Sequence, residues 1–337
     1  MRVVSKLIGV APFVLVLLTA NVARSQGSAT VTLSVKSTDS VAVTSAGSRT
    51  MGRFDKPAAP VKKFGPGAPI PAVPPPGFYP DDVTNPGNQP TVVQGKHHPI
   101  YLNMNPSHWG DPGGFLTDLG KSDFIHVVDQ YVGSSANNRY TLGTSFTATI
   151  TVPPHPLLDS DLYGLLHGAA KLSGSGLDHI YHVFLPKGVD ECLDAATCYS
   201  PDNASTFLFC AYHGYVTFAD KVGTVLYTVE PYQDVPGCQA RPGTPNGQVA
   251  DSTDDTLSHE VFETISDPGL DAWYVQNFTF SYGNEIGDLC TRAALFPGNQ
   301  IYSFYGIVNL NDHPYSIQPE YSNQFHGCSY VPAGLGE

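Results

Sequence analysis

The stretch Leu257–Pro268 reads LSHEVFETISDP, and its residue types suit metal chemistry. Residues four apart on a helix point the same way, so His259 and Glu263 can offer one imidazole nitrogen and one carboxylate oxygen to a single ion. Glu260, next to His259, is then placed to take the proton of a water that attacks a carbonyl. The pattern is His-Glu-x-x-Glu, where the zinc-protease signature has a second histidine. A carboxylate in that place makes a harder site, so zinc leads and calcium and manganese compete.

At about 100° per residue, Leu257, Val261, Ile265 and Phe262 share one apolar face. His259, Glu260, Glu263 and Asp267 form a stripe opposite. The plain alternative is that this stripe is the solvated face of an amphipathic helix. Two features favour the metal: the whole chain has only seven glutamates, and the helix carries no Lys or Arg. Ser252, Thr253 or Asp254 can cap its start, and Pro268 stops it. A third ligand is expected from Tyr282–Cys290, YGNEIGDLC, with Asp288 preferred to Glu285. Asp267 is the other candidate, with ending the helix before Pro268 its favoured role.

The elements around the helix read as an α+β layout, a mostly antiparallel or mixed sheet with helices packed on it. Pro99–Met104 is β-leaning, and 115–131 has apolar residues at helical spacing. RYTLGTSFTATITV alternates as one strand or a pair, and DLYGLLHGAAKLSG is helical. IYHVFLP, TFLFCAYHGYVTF and VLYTVEPY are aromatic and β-branched strands. His213 lies in the second and can line the site from a neighbouring strand. His97 and His98, adjacent and near the start of the domain, read as solvated; a ligand pair needs convergent geometry.

SHEVFETISDPGLDAWY followed by GNEIGDLC resembles a family of secreted microbial proteins with an H-E-x-x-E-x-x-[ST]-D-P…W…G-x-E-I-G-D-x-C pattern. That family is distantly similar to the phosphate-induced protein 1 or EXORDIUM group of plant extracellular proteins. NPSHWGDPGGFLTDLGKSDF, VFLPKGV, FCAYHGYV and YTVEPY extend the similarity over about 97–328. The resemblance implies a zincin-like domain, with His259 and Glu263 at ligand positions and Glu260 at the base position.

Other segments bound the class. Arg2 and Lys6 precede an apolar run, Leu7–Ala20, and small residues follow, so 1–25 reads as a secretory signal peptide. The span 26–94, Ser/Thr-rich and then Pro-rich, reads as a linker or arm, leaving 95–337 as the globular domain. From His97 onward seven Lys/Arg face 26 Asp/Glu, a balance of −19. That argues against nucleic acid or an anionic membrane as partner. Six cysteines in an exported chain imply disulfides, with the pairing Cys192–Cys198, Cys210–Cys238 and Cys290–Cys328 expected. The reading is a secreted metal-dependent hydrolase, metallopeptidase-like, acting on a peptide or protein substrate. The alternative is a non-catalytic extracellular or wall-associated protein with at most a structural cation.

Overall fold

The computed structural model describes residues 30–33, 41–52, 62–63, 81–151, 155–240, 243–276, 283–290, 294–296, 300–302 and 306–332. In chain order the elements are β1 (Thr30–Leu33), β2 (Val43–Gly52), β3 (Lys62–Lys63), β4 (Gly95–Leu102), α1 (Pro112–Lys121), α2 (Asp129–Val132), β5 (Tyr140–Leu142), β6 (Ser145–Ala148), β7 (Leu157–Leu158), α3 (Tyr163–Ser173), β8 (His179–Phe184), β9 (Glu191–Cys192), β10 (Cys198–Tyr199), β11 (Phe209–Phe218), β12 (Thr224–Glu230) and α4 (Gln248–Ser266). The C-terminal region adds β13 (Ala294–Phe296), β14 (Gln300–Tyr302), β15 (Gly306–Leu310), β16 (His313–Ile317), β17 (Glu320–Ser322) and β18 (Gly327–Ser329).

The main sheet is mixed, ordered β1-β6-β4-β8-β12-β11-β2, with β5 beside β4. Strands β1, β6, β4, β8 and β12 pair in parallel, and β11 turns back antiparallel to both β12 and β2. Parallel pairing needs crossover connections, and helices on both faces follow from that. Side chains alternate between the faces. Tyr181, Val183 and Tyr227 pack with Leu165, Leu166 and Ala169 of α3 on one side. Ile180, Phe184 and Leu226 pack with Phe115 and Leu116 of α1 and with Leu257, Val261 and Phe262 of α4 on the other. The fold is α+β, as expected.

Two expectations need correction. The segment 26–94 is not a linker throughout: β1 pairs with β6, β2 pairs with β11 along its length, and Val83 and Val92 are fully buried in the core. Pairing with distant strands overrides the Ser/Thr content, because it satisfies the backbone of both segments. The globular domain therefore begins well before residue 95. Most of the proline-rich run and the whole of 1–25 lie outside the described residues.

The second correction concerns α4. It starts at Gln248, ahead of Ser252, Thr253 and Asp254, so those three are interior rather than caps. Gly247, at φ 95°, sits before its first turn, and Asn246 N–H donates to Asp251 Oδ2 at 2.7 Å. The helix is buried on every side from Ala250 to Ser266, and the solvated-face reading fails. Such a polar helix survives burial because its groups find partners. Thr256, Thr264 and Ser266 fold their hydroxyls back onto carbonyls one turn earlier. Asp251 and Asp255, one turn apart, accept the backbone N–H groups of Ser316 and Gln318 on and after β16, at 2.9 and 2.8 Å. Those carboxylates serve the sheet edge, and the carboxylates of the next two turns do not.

The three disulfides pair as expected, Cys192–Cys198, Cys210–Cys238 and Cys290–Cys328. The last ties the turn that follows Asp288 to β18, so the C-terminal region is fastened beside α4.

Candidate metal centre

All six glutamates among the described residues, Glu191, Glu230, Glu260, Glu263, Glu285 and Glu320, are at most 1% exposed. Glutamate is almost never fully buried without a partner, and Glu260, Glu263 and Glu285 converge on one region between α4 and the sheet. Alternation along β11 turns His213 toward α4, and β2 and β12 align with it, so Arg49, His213, Thr228 and His182 form one lateral row across the sheet. The loop 283–288 closes the other side.

His259 Nε2 lies 3.1 Å from Glu263 Oε1 and 3.8 Å from Asp288 Oδ1. Asp288 N–H donates to Glu263 Oε1 at 3.0 Å, which fixes that carboxylate from the loop side. His213 Nδ1 lies 3.1 Å from Glu260 Oε2 and 3.4 Å from Glu263 Oε2. Two candidate ligand groups result, His259–Glu263–Asp288 and His213–Glu260–Glu263, and in each the ligand atoms all lie within 4.8 Å of one another. Ligands about 2.0–2.2 Å from a tetrahedral zinc stand about 3.3–3.6 Å apart. The observed spacings straddle that value.

Hydrogen-bond geometry points the same way. Neither ring nitrogen of His259 makes a hydrogen bond, although Nε2 is close to two carboxylates. Glu260 Oε1, Glu263 Oε2 and both oxygens of Glu285 also lack hydrogen-bond partners. Orphaned buried polar atoms are costly. Groups that face a common point instead of each other are what a cation requires.

Electrostatics show how the cluster is balanced by protons. Burial works against a charged ring at His259, yet Glu263 first and then Glu260 and Asp288 hold its pKa well above the usual histidine value. At His213 burial is again outweighed, by Glu285, Glu260 and Glu263. Burial pushes Glu285 up to about 8, and Asp288 well above the aspartate range. Glu263 is driven below the usual glutamate value: burial opposes this, and His259 and His213 prevail. The carboxylates thus favour positive charge at this position, and ligand deprotonation would accompany metal binding.

Of the residues singled out in the sequence, His259, Glu260, Glu263 and Asp288 come together here. Glu285 stands apart from His259: its Oε1 is 3.5 Å from His213 Nε2 and its Oε2 is 3.5 Å from Arg49 Nη1. Asp267 accepts Ala272 N–H at 2.6 Å and faces Arg49 at 3.5 Å, consistent with a helix-end role. Sequence reasoning missed Arg49, Glu230 and Glu320. Glu320 has no hydrogen bond on either oxygen, and burial holds its pKa well above normal. His97 and His98 are buried rather than solvated: His97 bonds His182 at 2.9 Å and His98 bonds His179 at 3.0 Å. Adjacent strand residues face opposite sides, so the two do not converge on an ion.

A cleft of ≈760 Å³ reaches α4 at Ala250 and Asp254, between one and three turns before Glu260. A second, of ≈490 Å³, is lined by His155, Lys187 and Tyr232 and lies apart from the centre. No family model, no curated protein and no solved structure matches this chain.

Proposed function

We propose that this chain is an exported metal-dependent hydrolase with a zincin-like arrangement, acting on a peptide or protein substrate. The observation that carries the reading is the convergence of His259 Nε2, Glu263 Oε1 and Asp288 Oδ1 beside a fourth buried carboxylate, Glu260, whose Oε1 has no hydrogen-bond partner. His259, Glu263 and Asp288 would hold zinc, with calcium or manganese the competing ions. A divalent ion at this position supplies Lewis acidity, lowering the pKa of a water and polarising a carbonyl. Glu260 accepts the proton from the attacking water and returns it to the leaving amine as the carbon–nitrogen bond breaks. His213 orients Glu260 through the 3.1 Å bond to Oε2 and leaves Oε1 for the proton. Three disulfides suit an oxidising compartment, and among the described residues no helix is long and apolar enough to cross a membrane.

A second reading has its own support. His259, Glu260, Glu263 and Asp288 are at most 5% exposed, and the larger cleft meets α4 only at Ala250 and Asp254. A structural cation needs no route for substrate. One experiment tests both: elemental analysis of the purified chain, with peptide hydrolysis assayed in parallel, for wild type, His259→Ala and Glu260→Gln. Metal lost in His259→Ala and retained in Glu260→Gln, with hydrolysis lost in both, supports the hydrolase. Bound metal without hydrolysis in wild type leaves the structural cation, and no metal defeats both.

A further inference from the structure

Glu263 belongs to both ligand groups, and its two oxygens are divided between them. Oε1 faces His259 and Asp288, and Oε2 faces His213 and Glu260. A carboxylate used this way, one oxygen to each side, is the arrangement that bridges two ions about 3.5–4 Å apart. The geometry points to a second divalent cation held by His213 Nδ1, Glu260 Oε2 and Glu263 Oε2, so that the centre is dinuclear with Glu263 as its bridge. The inference rests on the metal-centre reading above and extends it.

Three observations carry it. The first is spacing: His213 Nδ1 stands 3.1 and 3.4 Å from the two glutamate oxygens, near the separation expected of ligands on one ion. The second is a polar atom left over. Glu263 Oε2 is buried and without a hydrogen bond, and an ion at His259 and Asp288 does not address it. The third is the far side of His213. A metal-ligating histidine usually donates its other ring N–H to a carboxylate, and His213 Nε2 faces Glu285 Oε1 at 3.5 Å. Glu285 therefore stands behind a proposed ligand, on the side away from the ion. In turn it is faced by Arg49, also at 3.5 Å.

His213 would hold the second ion through Nδ1 in place of its hydrogen bond to Glu260 Oε2, with Nε2 on the side of Glu285, and Glu260 would keep Oε1 free of it.

The test is a titration of the full chain, stripped of metal, with manganese and with zinc, followed by manganese electron paramagnetic resonance. Two ions per chain and an exchange-coupled multiline signal are expected. His213→Gln should bind one ion and show the isolated six-line signal, and Glu263→Gln should lose both ions. One ion per chain in wild type, or two ions without coupling, overturns the dinuclear centre while the single-ion reading stands; no ion overturns both. The wild-type signal decides even where a variant fails to fold.

Discussion

Arg49 and Glu285 face each other at 3.5 Å, Nη1 to Oε2, although one lies on strand β2 and the other in the loop after α4. Arg49 also faces Asp267 at 3.5 Å and donates to Leu270 O through Nη2 at 2.6 Å. It is the guanidinium that offsets carboxylates at this centre. Its side chain is 29% exposed, so its ion pairs are partly screened. Arg49→Ala is expected to cost about 1–3 kcal/mol in the metal-free chain, less than a fully buried pair would lose. The loss should shrink when divalent metal is present, because the ion then faces the same carboxylates. Denaturant melts with chelator and with metal check this. An equal loss in both conditions would show that Arg49 acts by packing alone.

Gly287 explains why the loop can approach α4 so closely. A Cβ there would stand 2.7 Å from His259 Nδ1 and 2.9 Å from Glu263 Oε1. Neither ligand can retreat, since Asp288 N–H holds Glu263 and the surrounding helix is buried. Gly287→Ala is therefore expected to weaken metal affinity at least tenfold, with the far-ultraviolet spectrum unchanged. Competition against a chelating dye measures it, and wild-type affinity in the variant would mean that the loop does not close on the ligands.

Much of this site was legible in LSHEVFETISDP and GNEIGDLC, because a helix places His259 and Glu263 side by side whatever surrounds them. The start of α4 was not. QVADSTDD reads as loop and cap by propensity, and only the backbone of β16, remote in sequence, gives Asp251 and Asp255 their partners. His213 left a faint signal: a histidine at the core-facing parity of an aromatic strand. Arg49 left less. The Ser/Thr content of 30–52 favoured a linker, and only the pairing of β1 with the distant β6 and of β2 with β11 decides the matter. The parallel majority of the sheet was equally hidden, since strand direction depends on connections between elements that local periodicity does not record.

The Cys290–Cys328 bond closes a separation of 38 residues and fastens the turn carrying Asp288 to β18. By chain entropy such a closure contributes about 3–4 kcal/mol. The paired substitution Cys290→Ser with Cys328→Ser is expected to lower stability by that order, and also to weaken metal binding, because Asp288 precedes Cys290 by one helical half-turn. Calorimetry and metal titration read the two effects separately. Lost stability with undiminished affinity would show that the loop holds its ligand without the tie.

The row of polar side chains beneath α4 continues away from the metal centre as a hydrogen-bonded chain. His97 Nδ1 meets His182 Nε2 at 2.9 Å, His182 Nδ1 meets Thr228 Oγ1 at 3.0 Å, and Thr228 donates to Glu230 Oε1 at 2.9 Å. With Thr228 donating onward, His182 Nδ1 carries a proton toward Thr228 and His97 Nδ1 carries one toward His182. Each ring is then a neutral tautomer. Burial lowers the pKa of His97 to about 3, assisted by His98, and that of His182 well below normal. Between about 3 and the unfolded value near 6.5 the unfolded chain binds the proton that folded His97 refuses, so stability rises with pH across that window and is lost as pH falls. The effect for His97 at pH 5 is on the order of 2 kcal/mol. Glu230, which burial pushes up to about 8, has the opposite sign: its folded carboxyl keeps a proton that the unfolded chain releases, so its share of stability falls as pH rises toward 8. The two are separated by comparing wild type with His97→Gln in urea melts from pH 4.5 to 8, with chelator present throughout. The difference between the curves should change by about 2 kcal/mol below pH 6.5 and stay flat above it. A difference independent of pH would mean that His97 takes up a proton within the folded sheet.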